Sequence, residues 1–559
     1  MKMWRVVASL LGIVMLGSVA AADEATECET SQELDKYQFM RRVSLDLRLK
    51  PPTWDEYQVL EEVEGIPDAL LTEWLSGVEY LESMRRMHAD LLWPNPSGAQ
   101  LGDVQTFLVG SKSTGIHAVG SAQRRKLYRN DTGLVCGDFP HPPEAHDEDG
   151  VPLLLPWTDS GSGEEVLVDG WVEVAPYWDP SSLLKVCALD AQARAVSVTG
   201  EDCGVYGSVL EERSCGCGEG LRHCYGNEVQ TMVWADMQEQ LLRMVDDVAS
   251  GERPYTDLIT TPEVFRNGRL RFWKRYLAGM ASLSKTFNRY TPEEGDLGES
   301  PDYMDDAWEV VSRSGPLVGI QTLPAYTLRF QTNRARANRF RIAFTSQYFV
   351  PSTAPSMDGC DSTAEDLTER CICRDCHKVL EPMAGHFASI AEAGSVPVVN
   401  TEYFPVFNEQ CAQKPTGFCS RFYVTDKESA ERGVLLTHQF AVDLEKTLCT
   451  PTTCDTVHAA IAEKITEGPQ GLASTVIGSG QFARSTVRNL FHYLLGRDVV
   501  IAPATFEDES ELLTCLAEGF TSGTYVEGSC GTAQTAAGEY DFPALVRKIV
   551  QLPQYRRIR

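Results

Sequence analysis

The sequence predicts a mainly α, multidomain helical protein interrupted by a cysteine-rich, partly β insertion. Three observations carry this. Apolar residues recur at three- and four-residue spacing over 31–93, 229–350 and 446–559. Residues 94–228 are instead rich in Gly, Pro and Asp, with short β-type runs and six cysteines: Cys136, Cys187, Cys203, Cys215, Cys217 and Cys224. A second loop-like, cysteine-rich segment spans 351–445. A chain of 559 residues has room for about three to four domains. The expected division is 1–22, 23–93, 94–228, 229–350, 351–445 and 446–559, with no internal repeat.

Residues 1–22 read as a cleaved secretory signal. Lys2 and Arg5 precede the apolar stretch Val6 to Val19, and Ala20-Ala21-Ala22 offers a small-residue cleavage site. Cys28 follows Ala25-Thr26-Glu27, which is not a lipobox. The expectation is an exported protein, periplasmic or else extracellular or associated with the cell envelope, with no integral membrane segment after cleavage.

Leu34, Tyr37, Phe39, Val43, Leu45 and Leu47 then mark a helix that Pro51-Pro52 stops. Thr53-Trp54-Asp55-Glu56 restarts one with a capping pattern. In the insertion, Glu165–Val168 and Trp171–Val174 read as strands. Helix returns with Trp234, Met237, Leu241, Met244 and Val248 and ends at Ser250-Gly251. Residues 316–349 are mainly helical and carry Arg329, Arg334, Arg336, Arg339 and Arg341, expected to form ion pairs in this acidic chain or, less favoured, to meet an anionic ligand. Phe482, Val487, Leu490, Phe491, Leu494 and Leu495 form a helix closed by Gly496, and Phe542 to Val550 form the last.

The composition, 43% hydrophobic and 23% charged, is that of a folded globular chain. With 50 basic against 79 acidic residues, the net charge is -29, which excludes nucleic acid and disfavours anionic lipid surfaces. Seventeen cysteines point to an oxidising compartment.

Cys373-Arg374-Asp375-Cys376-His377 is C-x-x-C-H, the attachment pattern of haem c. Two thiols must reach two vinyl groups on one porphyrin edge, and the next imidazole must meet the iron. One helical turn with two intervening residues does this. Chance alone would give about 0.01 such pentads in this composition. Other readings of the same residues are a disulfide involving Cys360 and Cys371, and a zinc site of Cys371, Cys373, Cys376 and His377, which is crowded for a tetrahedral ion. A dithiol oxidoreductase would place C-x-x-C in a βαβ unit, and none is visible. For the second iron ligand, Met383 lies six residues past His377 on a continuing helix, on the proximal side. His438 or an open position is therefore expected ahead of Met357, with His386 a further candidate.

Seventeen cysteines less the two of the pentad leave fifteen, an odd number, so at least one thiol stays unpaired; Cys411/Cys419 and Cys449/Cys454 are near enough in sequence to pair. Cys215-Gly216-Cys217 with His223-Cys224 reads as a disulfide knot rather than a metal site. His141 and His146 read as a solvated loop, and His88 and His492 as core residues. No G-x-S-x-G, H-E-x-x-H or phosphate loop occurs.

With these residues in place, the chain resembles the planctomycete-type cytochrome c family, large exported bacterial proteins also common in myxobacteria. Phe39-Met40-Arg41-Arg42-Val43-Ser44-Leu45-Asp46-Leu47 and Pro51 to Glu56 are similar to its N-terminal signature. Arg253-Pro254-Tyr255-Thr256-Asp257-Leu258-Ile259-Thr260 with Asn267 is similar to its central domain. Cys373 to Gly385 is similar to its C-x-x-C-H-x-x-I-D-P-x-G, with Glu381 for the Asp and Ala384 before Gly385 for the Gly. Phe491 to Arg497 and Leu545 to Arg557 are similar to its C-terminal domain. The resemblance implies haem binding and electron transfer and supplies no substrate.

The expected function is one-electron transfer by one covalent haem c, held by Cys373 and Cys376 with His377 on the iron, serving a redox partner protein or a small-molecule donor or acceptor. Two alternatives stand beside it. One is a haem-dependent oxidase or peroxidase with an open distal site. The other is a non-enzymatic, disulfide-rich envelope scaffold or glycan-binding protein.

Overall fold

The computed structural model describes residues 33–96, 98–99, 101–102, 104–120, 135–159, 161–204, 212–278, 300–313, 317–348, 362, 371–387, 390, 467–501 and 509–557. The signal segment, Met357, Cys360, His438, and the pairs Cys411/Cys419 and Cys449/Cys454 lie outside the described residues.

Helix makes up 46% of the structure and strand 12%, so the fold is mixed α/β and the mainly α expectation is corrected. Most of the strand lies in the insertion, and some lies outside it. β7 (Glu263–Arg266) pairs antiparallel with β8 (Glu309–Ser312) inside the stretch expected to be helical, and β9 (Thr524–Tyr525) with β10 (Gln534–Thr535) near the C-terminus. Each is a run of two to four residues, too short for periodicity to separate from a helical turn, and the partners β7 and β8 are also distant in sequence.

The N-terminal helices are α1 (Lys36–Arg48), α2 (Trp54–Val59), α3 (Asp68–Leu75) and α4 (Val78–Leu92). The insertion follows, with β1 (Leu108–Gly110), β2 (His117–Val119), β3 (Leu155–Thr158), β4 (Glu165–Val168), β5 (Trp171–Val174) and β6 (Leu184–Cys187). β4 and β5 are the two expected strands. β1, β2, β6 and β5 form one sheet in that order, and β3 and β4 a separate hairpin. The disulfides Cys136–Cys187, Cys203–Cys215 and Cys217–Cys224 staple this region around small cores of its own, so the Cys215/Cys217 stretch is a knot as expected.

Helix then resumes with α5 (Asn227–Ala249), α6 (Asp257–Thr260), α7 (Gly268–Phe272), α8 (Pro324–Arg329), α9 (Asn333–Thr345) and α10 (Arg374–Ala384). After these come α11 (467–478), α12 (Gln481–Leu495), α13 (Ser510–Ser522), α14 (Phe542–Val550) and α15 (Pro553–Arg556). Cys515–Cys530 ties α13 to the loop between β9 and β10. Gly496 ends α12 with φ of 64°, the left-handed conformation a Cβ disfavours, and its N–H closes on the His492 carbonyl.

Apolar side chains from 39–101, 225–344, 380–390 and 472–555 share one continuous core. Burying each large one fully contributes about 1.5–3 kcal/mol. The first and last described helices are clasped together. Leu34 N–H donates to the Arg556 carbonyl at 2.8 Å, Arg42 lies 4.3 Å over the Tyr555 ring, and Tyr555 OH donates to Asp46 at 2.6 Å.

The Thr53–Glu56 capping box forms as the sequence suggested. Glu56 also receives Arg48 at 2.7 and 3.0 Å and Trp74 Nε1–H at 2.8 Å. Burial pushes its carboxyl up, but these bonds outweigh that and hold it at about 2 against an ordinary 4.5. A depressed carboxylate stabilises above its unfolded value, and that stability is lost as pH falls from about 4.5 toward 2. Discounted for its edge position, Glu56→Gln is expected to cost about 1–2 kcal/mol at neutral pH and nothing near pH 2. Urea titrations of both proteins at pH 7 and pH 2.5 check this; a cost that does not shrink at low pH overturns it.

Candidate haem-attachment site

The pentad opens α10. The Cys373 carbonyl accepts the N–H of Cys376 at 3.2 Å and of His377 at 3.0 Å, so the first turn closes on the pentad itself. Cys376 heads the i, i+4 stripe continued by Leu380 and Ala384, which are buried, while Cys373, Cys376 and His377 are half-buried. α10 packs against α9. The helix runs on through Pro382 without reversing, and Met383 lies partly buried against the main core.

Cys373 and Cys376 are free thiols. The other nine described cysteines, Cys371 among them, are disulfide-bonded. That removes Cys371 from the alternative four-ligand zinc set, and among the described residues no group of three His, Cys, Asp or Glu is arranged to hold a metal ion. It also removes the Cys371 to Cys373 or Cys376 disulfide. The donor set fits haem c: two free thiols and one imidazole, all half-buried, within a single turn.

Two arginines of α9 meet backbone carbonyls. Arg336 is fully buried and donates to Asn333 Oδ1 at 2.9 Å, to the Ile390 carbonyl at 2.9 Å and to the Thr327 carbonyl at 3.3 Å. Arg339 donates to the carbonyls of Asp90 and Leu91 and stacks 4.2 Å over Trp93. Backbone carbonyls, a side-chain amide oxygen and a ring face are thus among the partners of these two. Burial pushes the Arg341 guanidinium down from its ordinary value, and the neighbouring Cys376 sulfur opposes that shift. Arg341 thus faces the start of α10 and Arg336 its end, which makes α9 and α10 antiparallel. Periodicity marked Arg341 as helical, but its place beside Cys376 depends on this packing.

The histidines divide differently from expectation. His88 is fully buried, as expected. His492 is exposed rather than packed: its Nδ1 pairs with Asp498 at 3.0 Å, on the rim of a cleft of about 600 Å³ that Arg488 and Tyr348 also line. Gly496 turns the chain so that Asp498 comes back to His492. His141 is buried, not solvated; Nε2 donates to the Ala145 carbonyl at 2.9 Å and Nδ1 accepts the Gly170 N–H at 3.2 Å. Its imidazole supplies hydrogen bonds the loop backbone lacks. His146 is exposed. His386 is buried and bonds the Gly468 carbonyl at 3.0 Å.

Fold and site together define a disulfide-stapled α/β protein with a reduced dithiol–imidazole turn. No protein-family model, no curated protein and no solved structure matches the chain.

Proposed function

We propose that Cys373 and Cys376 carry one haem c through two thioethers, that His377 is its proximal iron ligand, and that the protein passes single electrons. The observation that carries this is the free state of these two thiols in a chain whose other described cysteines are oxidised. Bound haem would supply the one-electron iron couple. The chain's own contribution is covalent anchoring, the placement of His377 on a rigid turn, and a dry wall from α9. Met383, on the same helix and against the core, is badly placed for the opposite face of the porphyrin, which supports His438 or an open position there, with Met357 behind them. Disulfides in the insertion and at Cys515–Cys530 suit an oxidising, exported setting, and no helix among the described residues is long and apolar enough to cross a membrane. The resemblance to planctomycete-type cytochromes c supports the same reading.

The test is expression with export and a haem c maturation system. A coloured protein with a sharp reduced absorption band, keeping peroxidase stain on a denaturing gel, is the expected result. Colourless protein with Cys373 and Cys376 joined to each other would replace haem with dithiol chemistry. Carbon monoxide binding to the reduced protein separates an open iron, as in an oxidase or peroxidase, from a closed electron carrier.

A further inference from the structure

We propose that Tyr255 and His88 form a site of reversible one-electron, proton-coupled oxidation in the main core, joined by a line of aromatic rings to the helix that bears Cys373, Cys376 and His377. The inference does not rest on haem attachment, and its test is run without haem.

The hydrogen bonds fix where the protons are. His88 Nδ1 lies 2.7 Å from the Met84 carbonyl, which can only accept, so Nδ1 carries hydrogen. Burial pushes His88 down to about 4, against the smaller pull of that carbonyl, so the ring is neutral and has no second proton. Nε2 is therefore a bare lone pair. Tyr255 OH sits 2.8 Å from it and must be the donor. His88 is 0% and Tyr255 2% exposed, so no water competes for this bond.

A phenol in a dry core is hard to oxidise unless its proton has somewhere to go. Here the acceptor is already in place. One electron leaves Tyr255 for an outer-sphere oxidant of the metal-complex class, the O–H bond breaks, and the proton crosses to Nε2. The products are a neutral phenoxyl on Tyr255 and an imidazolium on His88, which keeps its Nδ1–H bond to Met84. Reduction returns the electron to the ring and the proton to oxygen. Asp541, immediately before Phe542, supplies negative charge on this side of the cluster, where it acts on the adjacent Tyr80.

The surroundings suit a lasting radical. Phe542 stacks on Tyr255 with centroids 4.6 Å apart and 11° between planes. Phenylalanine is far harder to oxidise than a phenol, so such a neighbour encloses the site without draining it. From Tyr255 the rings continue through Phe482 at 5.7 Å, Phe344 at 6.0 Å, Phe340 at 4.9 Å and Phe387 at 6.5 Å. Phe387 ends the 3-10 turn that follows α10 directly. Close-packed rings offer a continuous medium between the pair and that helix.

The full-length chain, made without haem maturation, is oxidised with photogenerated tris(bipyridine)ruthenium(III) and frozen for electron paramagnetic resonance. The expected result is a long-lived phenoxyl signal that narrows when ring-deuterated tyrosine is incorporated. Tyr255→Phe removes it. His88→Phe lowers its yield by about tenfold, the weight of one strong buried hydrogen bond to a group that becomes charged. Near-ultraviolet circular dichroism checks that both variants are folded, and His88→Gln replaces His88→Phe if the latter is not. No long-lived phenoxyl in the wild type, the same signal in Tyr255→Phe, or an unchanged yield in the His88 variant overturns the proposal.

Discussion

Arg336→Ala is expected to lower the unfolding free energy by about 3 kcal/mol, more than most surface changes by several-fold. The side chain is fully buried, and its guanidinium links three parts of the chain: Thr327 on α8, Asn333 at the start of α9, and Ile390 beyond α10. Truncation leaves a cavity and strands acceptors in a dry place, at about 1–3 kcal/mol for each unmet polar group. Removing a buried charge recovers part of its desolvation cost, which keeps the total well under the sum. Arg336→Met separates the two effects, since it refills most of the volume and restores no donor; its cost should fall to about 2 kcal/mol. Denaturant unfolding followed by circular dichroism gives both values. Hydrogen exchange at 380–390 should rise in both variants, because the Ile390 anchor is lost. An Arg336→Ala protein within about 0.5 kcal/mol of wild type would show that these bonds are replaced by water at no loss.

How far the sequence led depended on whether the deciding contacts were local. β4 and β5 were legible because their β-type runs are bounded by turn residues, and the Thr53–Glu56 cap because both partners lie within one turn. β7 and β8 were not, since Val264 pairs with Val311 across a long excursion and neither run says so alone. The same boundary runs through the candidate site. Cys373, Cys376 and His377 come together because one helical turn suffices. Arg341 reaches Cys376 only through the antiparallel packing of α9 on α10. Arg339 shows what a composition argument misses: it bonds the carbonyls of Asp90 and Leu91, acceptors that the end of α4 leaves unmet, and no charge count points to them. His492 was misplaced for a different reason. It sits beside buried Phe491 on an apolar helix, but a step of about 100° turns it to solvent, where Asp498 waits. The N-terminal and C-terminal stretches that carry the family resemblance meet in space as Arg42, Asp46 and Tyr555, so in this fold they join α1 to α15.

Cys376→Ser is expected to cut the haem retained on a denaturing gel by about tenfold, and the double change Cys373→Ser with Cys376→Ser to abolish it. A thioether forms when a thiol adds across a vinyl group: sulfur bonds to one carbon and hydrogen goes to the other. A serine hydroxyl does not make this addition under the same conditions, because it lacks the acidity and softness of sulfur. With Cys376 replaced, Cys373 alone can hold the porphyrin, from the edge of the turn rather than from the stripe that α10 buries against α9. The remaining vinyl group stays conjugated, so the reduced absorption band should move to longer wavelength along with the loss of stain. His377→Ala acts on a different step: it leaves both thiols and removes the proposed proximal ligand, so any haem retained should have an altered iron spectrum. Cys371→Ser is the internal control. Its sulfur is already committed to a disulfide, two residues from Cys373, so its loss should leave the stain largely intact while disturbing the loop. Full stain in Cys376→Ser would sink the two-thioether reading. Equal loss in Cys371→Ser and Cys376→Ser would mean that the loop's fold, rather than the thiols of the pentad, governs haem retention.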